Sequence, residues 1–226
     1  MWRGTLSDWE RRWWRAANAS SLQWIVAGVQ VRDAELDLAT DPDQQLAAHS
    51  NFLAWARAAR QSVLQRIEVG SMAPLDGAEA DYWRYTAEVG WLRTLGATTN
   101  EAFRILLQKR CEAAAKAHDA QSKRLEAGRG SIKDVCEAVT QLRQAELDAA
   151  TKQEERWAAH GKCLGLLTQF EESQKKRVAA GVACPADLLV IQMPRIRAEI
   201  DLVRARLAER KGATNEPSLP SGSHPQ

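Results

Sequence analysis

The sequence has few residues that interrupt a helix and few aromatic residues of the kind that fill sheet-rich cores. It contains 13 Gly, 7 Pro, 3 Phe and 2 Tyr among 226 residues. An all-β chain needs more turn residues than this, because each strand ends in a turn that Gly or Pro usually helps to form. No apolar run approaches the roughly 18–20 residues of a transmembrane helix. The composition therefore predicts a helical protein without a transmembrane span.

An excess of charge of either sign is also missing. The chain carries 31 basic and 29 acidic side chains, which gives a formal net charge of +2. Proteins that bind nucleic acid or anionic membranes through their overall charge have a larger basic excess. We therefore expect no nucleic acid partner. The first residues lack the apolar stretch of a secretory signal, which predicts a cytoplasmic protein if Met1 is the true start.

Motifs for catalysis or metal binding are absent from the sequence. It has no Gly-rich phosphate loop, no Gly-x-Ser-x-Gly elbow and no His-Glu-x-x-His helix. His49 and His160 share an Ala-Ala-His context but lack an acidic neighbour at ligand spacing, so we expect interface histidines. The cysteines form no Cys-x-x-Cys pair, and their redox state stays open: Cys111, Cys136, Cys163 and Cys184. The sequence predicts a non-enzymatic protein without metal or cofactor.

An internal repeat indicates the organisation of the chain. Residues 34–70 and 145–181 align without a gap at an offset of 111, and 13 of the 37 positions are identical. Random pairing gives about two or three identities at typical residue usage. The repeat predicts a duplicated helical-hairpin bundle over residues 20–211. A Trp-rich helix is expected in residues 1–19, and the polar residues 212–226 are expected to form a disordered tail.

A shorter motif of Arg, Gly and Asp recurs three times. The Gly follows the Arg by four residues, and the Asp follows the Gly by six. The copies are Arg66, Gly70 and Asp76; Arg124, Gly128 and Asp134; and Arg177, Gly181 and Asp187. Such a Gly suits the left-handed residue that ends a helix, the Arg then lies in the last turn, and the Asp lies in the first turn of the next helix. The motif predicts three helix corners with a structural or partner-facing role.

Between the corners the pattern is helical. Val135, Ala138, Leu142 and Ala145 follow the three-four-three spacing of a coiled-coil seam. We expect an all-α fold of elongated antiparallel hairpins, with Pro194 kinking or interrupting the last helix. The predicted helices lie near residues 20–39, 43–68, 74–95, 100–126, 132–150, 152–179 and 185–211.

The N-terminal residues are rich in tryptophan. Trp9, Trp13 and Trp14 alternate with arginines in a short amphipathic stretch. Three roles suit such a stretch: a cap on the end of the bundle, a surface for a protein partner, or contact with a membrane surface. The acidic residues Asp8 and Glu10 offset much of the positive charge, which makes membrane contact the least favoured of the three.

The residues around the second corner, KRLEAGRGSIKDVCEAVTQLRQAELD, resemble a stretch of the TolC family of outer-membrane efflux proteins. In that family an Arg-x-x-x-Gly turn and an Ala-rich helix recur on long periplasmic hairpins. The resemblance is best over residues 124–148 and extends to residues 177–206 and 66–92. No segment shows the period-2 alternation of the family's strands, so the resemblance covers the periplasmic helical part alone.

This resemblance implies hairpins whose turns face an adaptor protein, in the periplasm or at the outer membrane. We therefore expect a non-enzymatic TolC-like protein related to efflux and transport components. The alternative is a coiled-coil scaffold or interaction adaptor without a transport role. Both functions require a protein partner or self-association through helices.

Overall fold

The computed structural model describes residues 21–74 and 76–214, and this part of the chain contains seven α-helices and no strand. The prediction of an all-α fold is confirmed. The helix bounds lie within three residues of the predicted ones. They are α1 Ser21–Leu38, α2 Pro42–Glu68, α3 Asp76–Thr94, α4 Glu101–Glu126, α5 Ile132–Ala149, α6 Gln153–Ala179 and α7 Ala186–Thr214.

The chain divides into two compact units. Unit 1 ends at Ala149 and contains α1 to α5, whereas unit 2 begins at Ala150 and contains α6 and α7. The second repeat segment, residues 145–181, runs from α5 into α6 and therefore spans the boundary. The duplication itself stays a prediction. The Trp-rich residues 1–19 lie outside the described residues, as does the tail beyond Thr214.

In unit 1 each helix packs against the next one along the chain, and α1 also touches α3. One core cluster consists of Ile25, Ala59, Val63 and Ala80, with Trp55 packed against it. Small alanines let the helices approach closely, while the few large aromatic side chains fill the remaining space. The core of unit 1 therefore combines many alanines with a few large side chains, including two of the three Phe, Phe52 and Phe103.

The seam predicted in α5 is buried. Val135, Ala138, Leu142 and Ala145 are at most 4% exposed, and α4 is the helix against which α5 packs. The three-four spacing places all four side chains on one face of the helix. The predicted periodicity therefore identifies the α4–α5 interface of unit 1.

Unit 2 is a pair of packed helices, α6 and α7. From α7, the buried residues Ile191, Ala198 and Leu202 form its apolar contact with α6. Arg195 lies on the same face of α7 as these three residues, and its guanidinium pairs with the carboxylate of the buried Glu171 of α6 at 2.5 Å. Pro194 does not interrupt α7, which continues as a helix on both sides of it.

Candidate functional site

The three predicted corner glycines all have a positive φ: 71° at Gly70, 69° at Gly128 and 72° at Gly181. At the second corner the N–H of Arg129 donates to the carbonyl of Arg124 at 2.8 Å, and the other two corners close in the same way. This hydrogen bond is the Schellman closure of a helix end, which requires a left-handed residue. The motif glycines therefore end α2, α4 and α6.

A fourth glycine behaves in the same way without belonging to the motif. Gly96 has φ 69° at the end of α3, and the N–H of Ala97 donates to the carbonyl of Leu92 at 3.0 Å. Neither the Arg four residues earlier nor the Asp six residues later is present here. The Arg and Asp of the motif are thus not needed for the turn itself.

The motif aspartates differ in their partners. One oxygen of Asp76 accepts a hydrogen bond from the N–H of Ala73 at 3.0 Å, which caps α3. Asp134 instead donates its backbone N–H to the hydroxyl of Ser131 at 3.1 Å, at the start of α5. In unit 2 the carboxylate of Asp187 accepts a hydrogen bond from Gln174 at 3.3 Å.

An ion pair joins the two corners of unit 1. The guanidinium of Arg124, from the second corner, pairs with the other oxygen of Asp76, from the first corner, at 2.5 Å. Asp76 is buried, so this charge needs the partner that Arg124 provides. The sequence motif gave no indication that residues of different copies would meet.

A groove of about 690 Å³ lies beside this ion pair. The helices α1, α3, α4 and α5 and the turn between α4 and α5 contribute its lining. Three basic and three acidic side chains line it: Arg124, Arg129 and Lys133, and Glu79, Asp134 and Glu137. The remaining lining residues include glutamines and small residues, among them Gln121, Gln141, Ala117, Ala138 and Gly130. The groove is polar, with no net charge when all six groups are ionised.

Glu79 is a groove carboxylate whose pKa is raised by burial. Burial raises its pKa from 4.5 to about 7, against the hydrogen bond that Gln121 donates at 3.2 Å and the charge of Arg124. The negative charges of Asp76 and Asp134 also raise the pKa. Glu79 therefore changes its protonation close to neutral pH.

A second polar network holds α3, α4 and α5 together farther from the groove. The buried Arg110 of α4 pairs with Asp148 of α5 and donates to the hydroxyl of Thr86 of α3 at 3.0 Å. Arg93 also pairs with Asp148, at 3.1 Å. Burial by itself raises the pKa of Asp148, but the two arginines outweigh it and hold the pKa below its usual value. Sequence analysis did not identify this network, because its residues are far apart in the chain.

The histidines and cysteines do not gather into a site in the described part of the chain. No group of three or more His, Cys, Asp or Glu residues there is placed to hold a metal ion. The ring of His49 packs against Gly90 of α3, where an added Cβ would lie 2.8 Å from Nδ1. Cys136 and Cys163 are buried, whereas Cys184 is exposed.

Two of the predicted partner-facing features remain as predictions. Trp9, Trp13 and Trp14 lie outside the described residues. The partner-facing role of the corner residues is an expectation, since the geometry above concerns only their structural role.

Within residues 21–74 and 76–214, no helix combines the length and apolar character that crossing a membrane requires. Comparison with protein-family models, curated proteins and solved structures gives no match to this chain.

Proposed function

We propose that this chain is a non-enzymatic helical-hairpin protein that acts by binding another protein, and that the partner places a helix in the groove of unit 1. The observation that carries the proposal is the composition of the groove wall at the second corner. Arg124, Arg129, Lys133 and Asp134 line the groove, and they belong to the stretch that resembles the TolC family. The resemblance to that family implies that the hairpin turns of this chain face an adaptor protein.

The chemistry of the groove supports a polypeptide partner. Its equal numbers of acidic and basic side chains suit a helix that carries both signs of charge, and an anion or a nucleic acid would meet repulsion from the carboxylates. The small residues Ala117 and Ala138 line the groove and add little bulk to its wall. The glutamines supply hydrogen bonds of either polarity.

A catalytic role has less support. An acid with a pKa near 7, such as Glu79, is frequent in active sites, but acid–base catalysis also requires a second positioned group and a substrate within reach. No histidine lines the groove. Burial raises the pKa of Glu79 even though the hydrogen bond from Gln121 lowers it, so helix packing accounts for the shift without a catalytic role.

The test is site-specific photo-crosslinking of the full chain in its own cells. A photoreactive residue replaces Gln141, which lines the groove, or Lys109, which is exposed on α4 outside it. We expect a discrete adduct from position 141 and none from position 109. Lys133→Glu should abolish the adduct, whereas Lys116→Glu, at an exposed position of α4 outside the groove, should preserve it. Equal adducts from both positions, or an adduct that survives Lys133→Glu, would refute the groove as the binding surface.

The two forms of the proposal differ in location. A TolC-like component related to efflux acts in the periplasm or at the outer membrane, whereas a scaffold without a transport role has no such requirement. Fractionation of the tagged full chain distinguishes them. Recovery with the envelope supports the TolC-like form, and recovery in the cytosol supports the scaffold.

A further inference from the structure

Helix α7 carries an exposed apolar stripe in addition to the face that packs on α6. Its members are spaced four, three, four, three and four residues apart: Leu189, Met193, Ile196, Ile200, Val203 and Leu207. Each is between 44% and 71% exposed. This is the heptad spacing of a coiled-coil seam, sustained over more than five turns. We call these six residues the outer seam.

The outer seam lies on the opposite side of α7 from the contact with α6. The buried residues Ile191 and Ala198 each follow a seam residue by two positions. Two residues correspond to about 200° around a helix, because an α-helix has 3.6 residues per turn. The helix α6 therefore cannot cover the outer seam, and α7 presents two separate apolar faces.

We propose that the outer seam pairs with the outer seam of a second copy of this chain, in a parallel two-stranded coiled coil. The six side chains are each about half exposed, so each copy offers an apolar surface on the order of 500 Å², and two copies together bury about 1,000 Å², close to the smallest specific interfaces. In such a pair, the a and d positions of one outer seam lie opposite the same a and d positions of the other, so the two apolar faces match.

Charges beside the seam select the parallel orientation. With Met193, Ile200 and Leu207 at a positions, Glu199 is at g and Arg204 is at the following e position. In a parallel pair, Glu199 of each copy meets Arg204 of the other, so two attractive contacts form. In the antiparallel pairing that matches all six seam residues, Glu199 meets its own counterpart, and like charges repel.

The first experiment measures the mass of the full chain by sedimentation equilibrium over a range of concentrations. We expect a dimer that Ile200→Asp converts to a monomer. The control is Ile105→Asp in α4, because Ile105 is 43% exposed and Ile200 is 44% exposed. This control should preserve the dimer, and circular dichroism checks that both variants keep their helicity. A wild-type monomer, a trimer, or equal loss of the dimer in both variants overturns the proposal.

The second experiment tests the orientation by exchanging charges. Glu199→Arg alone and Arg204→Glu alone should each weaken self-association, by about tenfold, because both contacts become repulsive. An equimolar mixture of the two variants should recover it, since each Arg then meets a Glu. Dimers that neither substitution weakens, or a mixture that fails to recover, refute the parallel coiled coil. Neither residue lines the groove, so these outcomes are independent of the proposed partner binding.

Discussion

Replacing Glu79 with glutamine should stabilise the protein at alkaline pH and have little effect at acidic pH. The pKa of Glu79 rises from 4.5 to about 7 on folding, so the folded state keeps a proton that the unfolded state loses. Stability contributed by the protonated group is therefore present below pH 4.5 and is lost as the pH rises to about 7. At about 1.36 kcal/mol per pKa unit, the loss is at most about 3.4 kcal/mol.

The realised gain should be smaller, because Glu79 is only partly buried by its neighbours and water reaches one side of it. We expect Glu79→Gln to raise the free energy of unfolding by about 1–2 kcal/mol at pH 8 and by less than about 0.5 kcal/mol at pH 4.5. The amide keeps an oxygen that accepts the hydrogen bond from Gln121. The variant therefore removes the charge with little change in packing.

Urea unfolding, followed by circular dichroism at both pH values, measures this difference. The control is Glu137→Gln, a carboxylate of the same groove that is exposed, and it should change the free energy of unfolding by less than about 0.5 kcal/mol at either pH. If Glu79→Gln destabilises the protein at pH 8, or stabilises it equally at both pH values, then burial does not suppress the ionisation of Glu79 and the reasoning is wrong.

Three further predictions concern the packing of the helices. Asp148→Asn should lower the free energy of unfolding in urea by about 3 kcal/mol, because it leaves the buried Arg110 without its charge partner. The double variant Arg110→Met, Asp148→Leu should recover most of this free energy. Gly128→Ala should destabilise the protein by about 1 kcal/mol, because φ is 69° there. Gly161→Ala should instead stabilise it by about 0.5–1 kcal/mol, because Gly161 lies within α6 with open space around it. Thermal unfolding should show a lower melting temperature for the first variant and a higher one for the second. Leu167→Ala should cost about 2–5 kcal/mol, since this side chain is 1% exposed, and an unchanged melting temperature would contradict its place in the core of unit 2.

Local sequence signals were sufficient for the helices and their ends. A glycine after the last periodic residue marks each of the three predicted corners, because the left-handed conformation costs glycine no Cβ clash. The spacing of Val135, Ala138, Leu142 and Ala145 likewise identified a buried face. Such signals work because helix formation and helix ends depend on residues only a few positions apart.

The groove could not be predicted from the sequence. Its lining comes from four helices and the turn between α4 and α5, and Glu79 lies 42 positions from its hydrogen-bond partner Gln121. The raised pKa of Glu79 follows from burial, which depends on how the helices pack and not on its neighbours in sequence. The outer seam of α7 is a second example. Its heptad spacing can be found in the sequence, but only the structure shows that these side chains are exposed and that the other stripe of α7 packs on α6.

The sequence by itself determined the all-α class, the helix bounds to within three residues and the corner glycines, because periodicity and capping are local properties of the chain. The tertiary structure alone decided which helices touch, that Arg124 of one corner pairs with Asp76 of another, and that Arg110 meets Asp148 in the core. Those contacts join residues 38 to 48 positions apart. They depend on side chains that meet only after the helices have packed, and no local pattern encodes such a meeting.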